Sequence, residues 1–296
     1  MAKKKSPRKA ASRRDPAGRR ARKPAPRRAP AKAAETRLSL YHVDAFTSRL
    51  FSGNPAAVLP LAKWFPDEIL QAIAAENNLA ETAFIVPKGG RGSYHIRWFT
   101  PTTEMDLCGH ATLAAAHVVL RHLGVKAKSL AFSSRSGILG VTAKGDLYEL
   151  DFPSRPGKPI PVSDEIVAAL GLPPVECFKA RDIMAVFDSK KDVLSLRPDM
   201  DRIAKLATMG VIVTAPAAGH DFVSRFFAPG VGVPEDPVTG SAHCTLVPYW
   251  AARLRKNTLS SRQVSKRGGE LLCTLKGDRV LLAGRARTYL QGVVTL

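Results

Sequence analysis

The chain has 296 residues, of which 45% are hydrophobic, with 45 Lys and Arg against 25 Asp and Glu and only four cysteines. That apolar content is ample for one large packed domain or two smaller ones. No stretch approaches the roughly 18 uninterrupted apolar residues of a membrane span, and the scattered Cys108, Cys177, Cys244 and Cys273 argue against a disulfide framework or a zinc ribbon. Reduced thiols and the lack of a secretory apolar core point to the cytoplasm.

Charge is unevenly spread. Residues 1–36 hold 14 of the 45 Lys and Arg and only two acids, Asp15 and Glu35, so this segment carries +12 and the remainder +8. From Ala2 to Ala34 there is no Leu, Ile, Val or aromatic residue, so nothing there can bury apolar area to offset chain entropy, and a disordered tail is expected. Such a tail is either a solvated extension or a polycationic arm that binds nucleic acid or another anionic surface without sequence preference.

Ordered structure should begin near Leu38, where Leu-Ser-Leu-Tyr-His-Val-Asp-Ala-Phe alternates as a half-buried strand does. Gly53-Asn-Pro turns the chain into the apolar run Ala56–Leu59. Pro66-Asp67 opens a helix that Asn77-Asn78 ends, with Ile69, Leu70, Ile73 and Ala74 on one stripe. Strands are expected over Thr82–Val86 and Tyr94–Phe99, a buried helix over Ala111–Leu123, and two strands over Ser129–Val141 and Asp146–Phe152.

The second half repeats this plan. Pro66-Asp67 corresponds to Pro198-Asp199, Arg97-Trp-Phe-Thr-Pro101 to Arg225-Phe-Phe-Ala-Pro229, Gly109-His110-Ala111 to Gly240-Ser241-Ala242, and Gly145-Asp146 to Gly277-Asp278. An α+β chain of two pseudo-symmetric domains follows, residues 37–155 and 156–296, with the last strand returning to the first. The nearly all-apolar helix in each half belongs in the interior, so strands should wrap around it. Its N-terminus presents unpaired N–H groups and partial positive charge, and two such ends facing one another would grip a small carboxylated molecule.

Asp44-Ala-Phe, Gly53-Asn-Pro, Asn78-Leu-Ala-Glu-Thr-Ala-Phe84, Phe99-Thr-Pro, Cys108-Gly-His-Ala-Thr112 and Glu235-Asp-Pro-Val-Thr-Gly-Ser-Ala-His243 together resemble the phenazine biosynthesis-like (PhzF-like) isomerase family of the diaminopimelate epimerase fold. The resemblance runs from Leu38 to Leu296 and omits only the tail. It implies a homodimeric isomerase whose two halves are each barrel-like, with no cofactor or metal and an active site between the halves. It also assigns Glu81 the role of acid/base and places Asp236 in the site as a substrate-ordering or proton-sharing carboxylate. The residues alone leave Glu81 open as an exposed strand-end glutamate and Asp236 as a turn residue before Pro237.

At the start of each central helix, Gly109 and Gly240 with His110 and Ser241 would bind substrate and stabilise charge, against the alternative that both side chains merely cap their helices. In the field of a helix N-terminus His110 should favour its neutral form and shuttle a proton. Epimerases of this fold use one cysteine from each half, and Cys108 stands at the first position. Its counterpart by the repeat is Thr239, which cannot act as a thiolate, so Cys108 reads as a packing residue and a cysteine-based racemase as an alternative lacking its second thiol. The spacing of Cys108-x-His110 and His243-Cys244 matches no usual zinc pattern. The family's phenazine-pathway isomerase has a serine before the glutamate. Ala80 stands there in this chain, which points away from trans-2,3-dihydro-3-hydroxyanthranilate as substrate.

Overall fold

The computed structural model describes residues 1–2 and 35–296, and the reading of the basic segment as a polycationic arm lies outside them. Strand β1 (Arg37–Ala45) pairs antiparallel with β2 (Asn54–Pro60). Helix α1 (Asp67–Asn77) then leads to β3 (Glu81–Pro87), which lies parallel to β2, and β4 (Ser93–Phe99) returns beside it. Asp67 and Glu68 sit in the first turn of α1, where they complement its dipole, and Asn78 ends it in the left-handed region at φ 47°. After the short β5 (Glu104–Met105), α2 (Gly109–Arg121) crosses to β6 (Ser129–Ser134), parallel to β4, and β7 (Gly137–Lys144) and β8 (Leu147–Pro153) complete a meander.

The next pass follows the same course. After β9 (Lys158–Ile160) and α3 (Asp164–Leu170), β10 (Glu176–Lys179) pairs with β11 (Ile183–Val186), and α4 (Lys190–Ser195) and α5 (Met200–Lys205) lead to β12 (Val211–Ala217), parallel to β11. Then come β13 (His220–Phe227), α6 (Gly240–Leu254), β14 (Thr258–Gln263) parallel to β13, β15 (Gly269–Lys276), β16 (Arg279–Gly284) and β17 (Ala286–Thr295). The passes meet where β8 pairs with β16. Each then sends its last strand across: β9, after β8, pairs with β10, while β17, after β16, pairs with β1 along its length.

Helices α2 and α6 share one core. From His110 to Val119 every residue of α2 is buried, which is why its sequence is small and apolar on all sides. Helix α6 accommodates Pro248 in its interior. Proline has no N–H for the carbonyl of Cys244 four residues back, and that carbonyl instead accepts the N–H of Arg155, 2.8 Å away in the connection between the passes.

Two expected elements differ. The stretch Ser129–Val141 is a hairpin, β6 and β7, broken by a turn that puts Gly137 at φ 94°, a conformation glycine adopts without strain. Helix α2 begins at Gly109, two residues before the expected Ala111, so His110 lies within its first turn. No helix among the described residues is long and apolar enough to cross a membrane.

Candidate active site

The N-termini of α2 and α6 meet: a Cβ on Gly109 would lie 3.9 Å from the Cα of Gly240, in ordinary van der Waals contact. Their N-cap residues, Cys108 and Thr239, make no side-chain cap hydrogen bond, which leaves first-turn N–H groups available to a ligand. Beside them lies a cavity of about 140 Å³ lined by Glu81, Cys108, Gly109, His110, Asp236, Gly240 and Ser241. All six residues singled out in the sequence therefore border one space. Ser241 is in the first turn of α6 and Thr239 is the N-cap, so the capping alternative for Ser241 does not hold.

Glu81 is the first residue of β3 and faces the first turn of α2. Its Oε2 lies 2.9 Å from His110 Nε2, the distance of an ion pair, but off the axis of the ring N–H, so neither buried atom has a hydrogen-bond partner. Leaving a buried polar atom unpaired costs roughly 1–3 kcal/mol, and such atoms concentrate where a substrate is to supply the partner. On the other ring edge, Cys108 Sγ lies 3.5 Å from Nδ1. Burial disfavours the His110 cation, but Cys108 and Glu81 outweigh it and hold the imidazole well above its ordinary pKa. This balance runs against the neutral form expected for His110, with Cys108 and Glu81 on its two nitrogens opposing burial and the helix end. Burial, followed by the charge of Glu81, pushes the Cys108 thiol up, which makes it a poor nucleophile.

Glu81, Cys108 and His110 bring donor atoms within 4.8 Å of one another. Cys108 and Glu81 face opposite nitrogens of one ring. That arrangement does not converge three ligands on one ion.

Asp236 is held firmly by comparison. Its Oδ1 accepts from Asn54 Nδ2 at 2.8 Å and its Oδ2 from the Thr239 hydroxyl. Burial pushes its carboxyl up to about 6, against the opposing pull of His110 and the Thr239 hydrogen bond. Behind it, Gln263 donates to the Asp236 carbonyl at 2.7 Å and accepts the Thr239 N–H at 2.9 Å, which fixes the turn into α6.

Sequence reasoning missed Gln263 and Arg181. Arg181 stands in the turn between β10 and β11, where its Nη2 donates to Ser241 Oγ at 3.0 Å and pairs with the buried Asp182 at 2.7 Å. It belongs to the cavity wall and supplies a cation beside the start of α6. The Arg-Asp pair at 181–182 was its only signal. Asn54 was visible in Gly53-Asn-Pro, but its bond to Asp236, 182 positions away, was not.

Residues 43–292 match the model of a family described as phenazine biosynthesis-like protein. An uncharacterised isomerase of Pseudomonas aeruginosa is 50% identical over 260 residues, covering 88% of this chain and 99% of that one. Among solved structures, a PhzF-family phenazine biosynthesis protein of Enterococcus faecalis superposes with a TM-score of 0.86 at 47% identity, over 88% of this chain and all of the other. A hydroxyproline epimerase of Agrobacterium vitis shares the fold alone, with a TM-score of 0.59 at 12% identity over 88% of this chain and 93% of its own.

Proposed function

This chain belongs to the phenazine biosynthesis-like family of isomerases, and from that premise we propose that it moves a proton between carbons of a small carboxylated substrate with Glu81 as the acid/base. The observation that carries the reading is the Glu81–His110 contact, two buried and unsatisfied atoms 2.9 Å apart at the wall of a cavity that both helix N-termini enter. The substrate carboxylate would lie against the first-turn N–H groups of α2 and α6, with Arg181 and Ser241 at its edge.

Glu81 takes the proton from the carbon next to the carboxylate. The C–H electron pair is delocalised onto the carboxylate oxygens, where the helix N–H groups stabilise it. As Glu81 becomes neutral, the negative charge it held moves to the substrate, and the His110 cation between them serves both states, so the net charge of the site is unchanged. Glu81 then returns the proton at a second carbon, which completes the isomerisation. Asp236, pushed up to about 6 and anchored by Asn54 and Thr239, orients the substrate's polar groups.

The test is a panel of small cyclic and amino carboxylates incubated with the full-length protein in deuterium oxide. At least one should be isomerised with deuterium at a reacting carbon, and this should be lost in Glu81→Gln. Isomerisation that persists in that variant contradicts the reading.

A further inference from the structure

At the other end of α2, about 18 Å along the helix from His110, a groove of about 540 Å³ opens between that helix, the β7–β8 turn and the start of β17. Its floor is a chain of polar groups. His117 Nδ1 lies 3.0 Å from the Tyr148 hydroxyl and its Nε2 2.9 Å from Thr288 Oγ1, and His122 Nε2 lies 2.7 Å from that same oxygen. The single proton of the Thr288 hydroxyl can be donated to one imidazole only, so the other must donate to it. The four groups thus satisfy one another in one direction, and none is left to balance a charge above them.

The rim carries that charge. Arg121, Arg285 and Arg287 line the groove, and Asp146 is its one carboxylate among the described residues. Each guanidinium is tethered through Nε: Arg285 to Asp146, Arg287 to the Ser48 carbonyl at 2.8 Å, and Arg121 to the Tyr148 hydroxyl at 3.4 Å. Their terminal nitrogens make no hydrogen bond among the described residues. Tethering at Nε leaves the planar outer edges available in the geometry that suits a carboxylate or phosphoryl group.

We propose that this groove binds a small multivalent oxyanion, clasped by the terminal N–H groups of Arg121, Arg285 and Arg287 at a site separate from the Glu81 cavity. Arg121 and Arg287 add their positive charge to burial in disfavouring the His117 cation. His117 is pushed down to about 4 by burial first, then by His122, Arg121 and Arg287, and burial pushes His122 down as well. The ring of Tyr41 packs on His122 from β1 at 4.8 Å, and the other charged or titratable groups facing the pair are Tyr148, Asp146, Arg285 and those already named. A bound anion sets a negative charge beside the rings and favours their cations, so it raises the pKa of His122 and binds more tightly as pH falls.

The experiment follows the ring signals of His117 and His122 by NMR in the full-length protein, assigned through His117→Gln and His122→Gln, with pyrophosphate or tricarballylate added at constant ionic strength. His122 should titrate at higher pH in the presence of the anion. The double variant Arg121→Gln/Arg287→Gln should lose at least tenfold in affinity while its melting temperature and its activity at the Glu81 cavity stay unchanged, and Arg287→Lys should give an intermediate loss. A stronger effect of pyrophosphate assigns a phosphoryl-bearing ligand, and a stronger effect of tricarballylate a polycarboxylate. Histidine titrations indifferent to both anions, or equal affinity in the double variant, overturn the proposal and place any bound anion elsewhere, for instance on residues 1–36.

Discussion

The two helix starts that meet at the cavity are built on one plan and have diverged in what each plan position holds. Arg97 pairs with Glu104 at 2.7 Å in the first pass and Arg225 with Glu235 at 2.8 Å in the second, each arginine also lying over a phenylalanine, Phe99 or Phe227. These pairs fix the correspondence, which puts Met105 opposite Asp236. Strand register does the same for the other carboxylate: Thr82 pairs with Phe99 and Val211 with Phe227, so Glu81 corresponds to Gly210. A Cβ on Gly210 would lie 2.4 Å from the ring of Phe226, so that ring fills the space where the second pass would carry a side chain.

Each half therefore contributes one carboxylate, from positions the symmetry does not relate. Glu81 is left without a hydrogen bond for the buried oxygen that faces His110, whereas Asp236 is tied to Asn54 and Thr239 with Gln263 behind. In the proposed mechanism the repeated scaffold is divided into a side that reacts and a side that holds.

Variants on the two sides should separate accordingly. His110→Gln removes the cation opposite Glu81 but keeps a donor, and turnover should fall by roughly 10²–10³-fold with little change in KM. A loss confined to KM would move His110 to the holding side. Arg181→Lys keeps a charge opposite Asp182 but loses the planar fork, so KM should rise about tenfold with kcat within about threefold, measured by steady-state kinetics. A fall in kcat alone would show that Arg181 acts on the transition state.

Asp236→Asn tests the holding side through stability. The folded carboxyl titrates near 6, above its unfolded value, so its stabilising contribution is complete below the unfolded pKa and is lost as pH rises through about 6. Asparagine does not ionise and keeps an oxygen for Asn54. The variant should thus be more stable than the parent at pH 8 by about 1–2 kcal/mol, with the difference vanishing below about pH 4, as read by denaturant unfolding. A variant less stable at pH 8 would mean that the ionised carboxylate is a net structural asset. The smallest effect is expected from Cys108→Ala, with turnover within about threefold. Inactivation would restore the two-thiol reading, although Thr239 occupies the matching N-cap.

Much of this was legible in the sequence because a repeat fixes positions twice. Gly109-His110 and Gly240-Ser241 stand at matching helix starts by the repeat, and the family resemblance sets an active site between the halves, where the two glycines meet. Other features were not legible. Arg181 lies in a turn with no counterpart motif, and it reaches Ser241 across 60 positions. The charge of His110 depends on a contact with a different strand, since helix position alone favours the neutral ring. Gly210 looks like an ordinary strand-edge glycine until the Phe226 ring is seen above it. The hairpin at 129–144 was merged into one strand because Arg135-Ser136-Gly137 is a turn short enough to be read through.

In the proposed mechanism Glu81, and not a pair of thiols or Asp236, removes the proton from carbon. The most direct measurement is the exchange of carbon-bound substrate hydrogen with solvent deuterium, compared between the parent and Glu81→Gln with folding checked by circular dichroism. Exchange should fall by at least about 10²-fold in the folded variant. Exchange at the parental rate in that variant would contradict the mechanism.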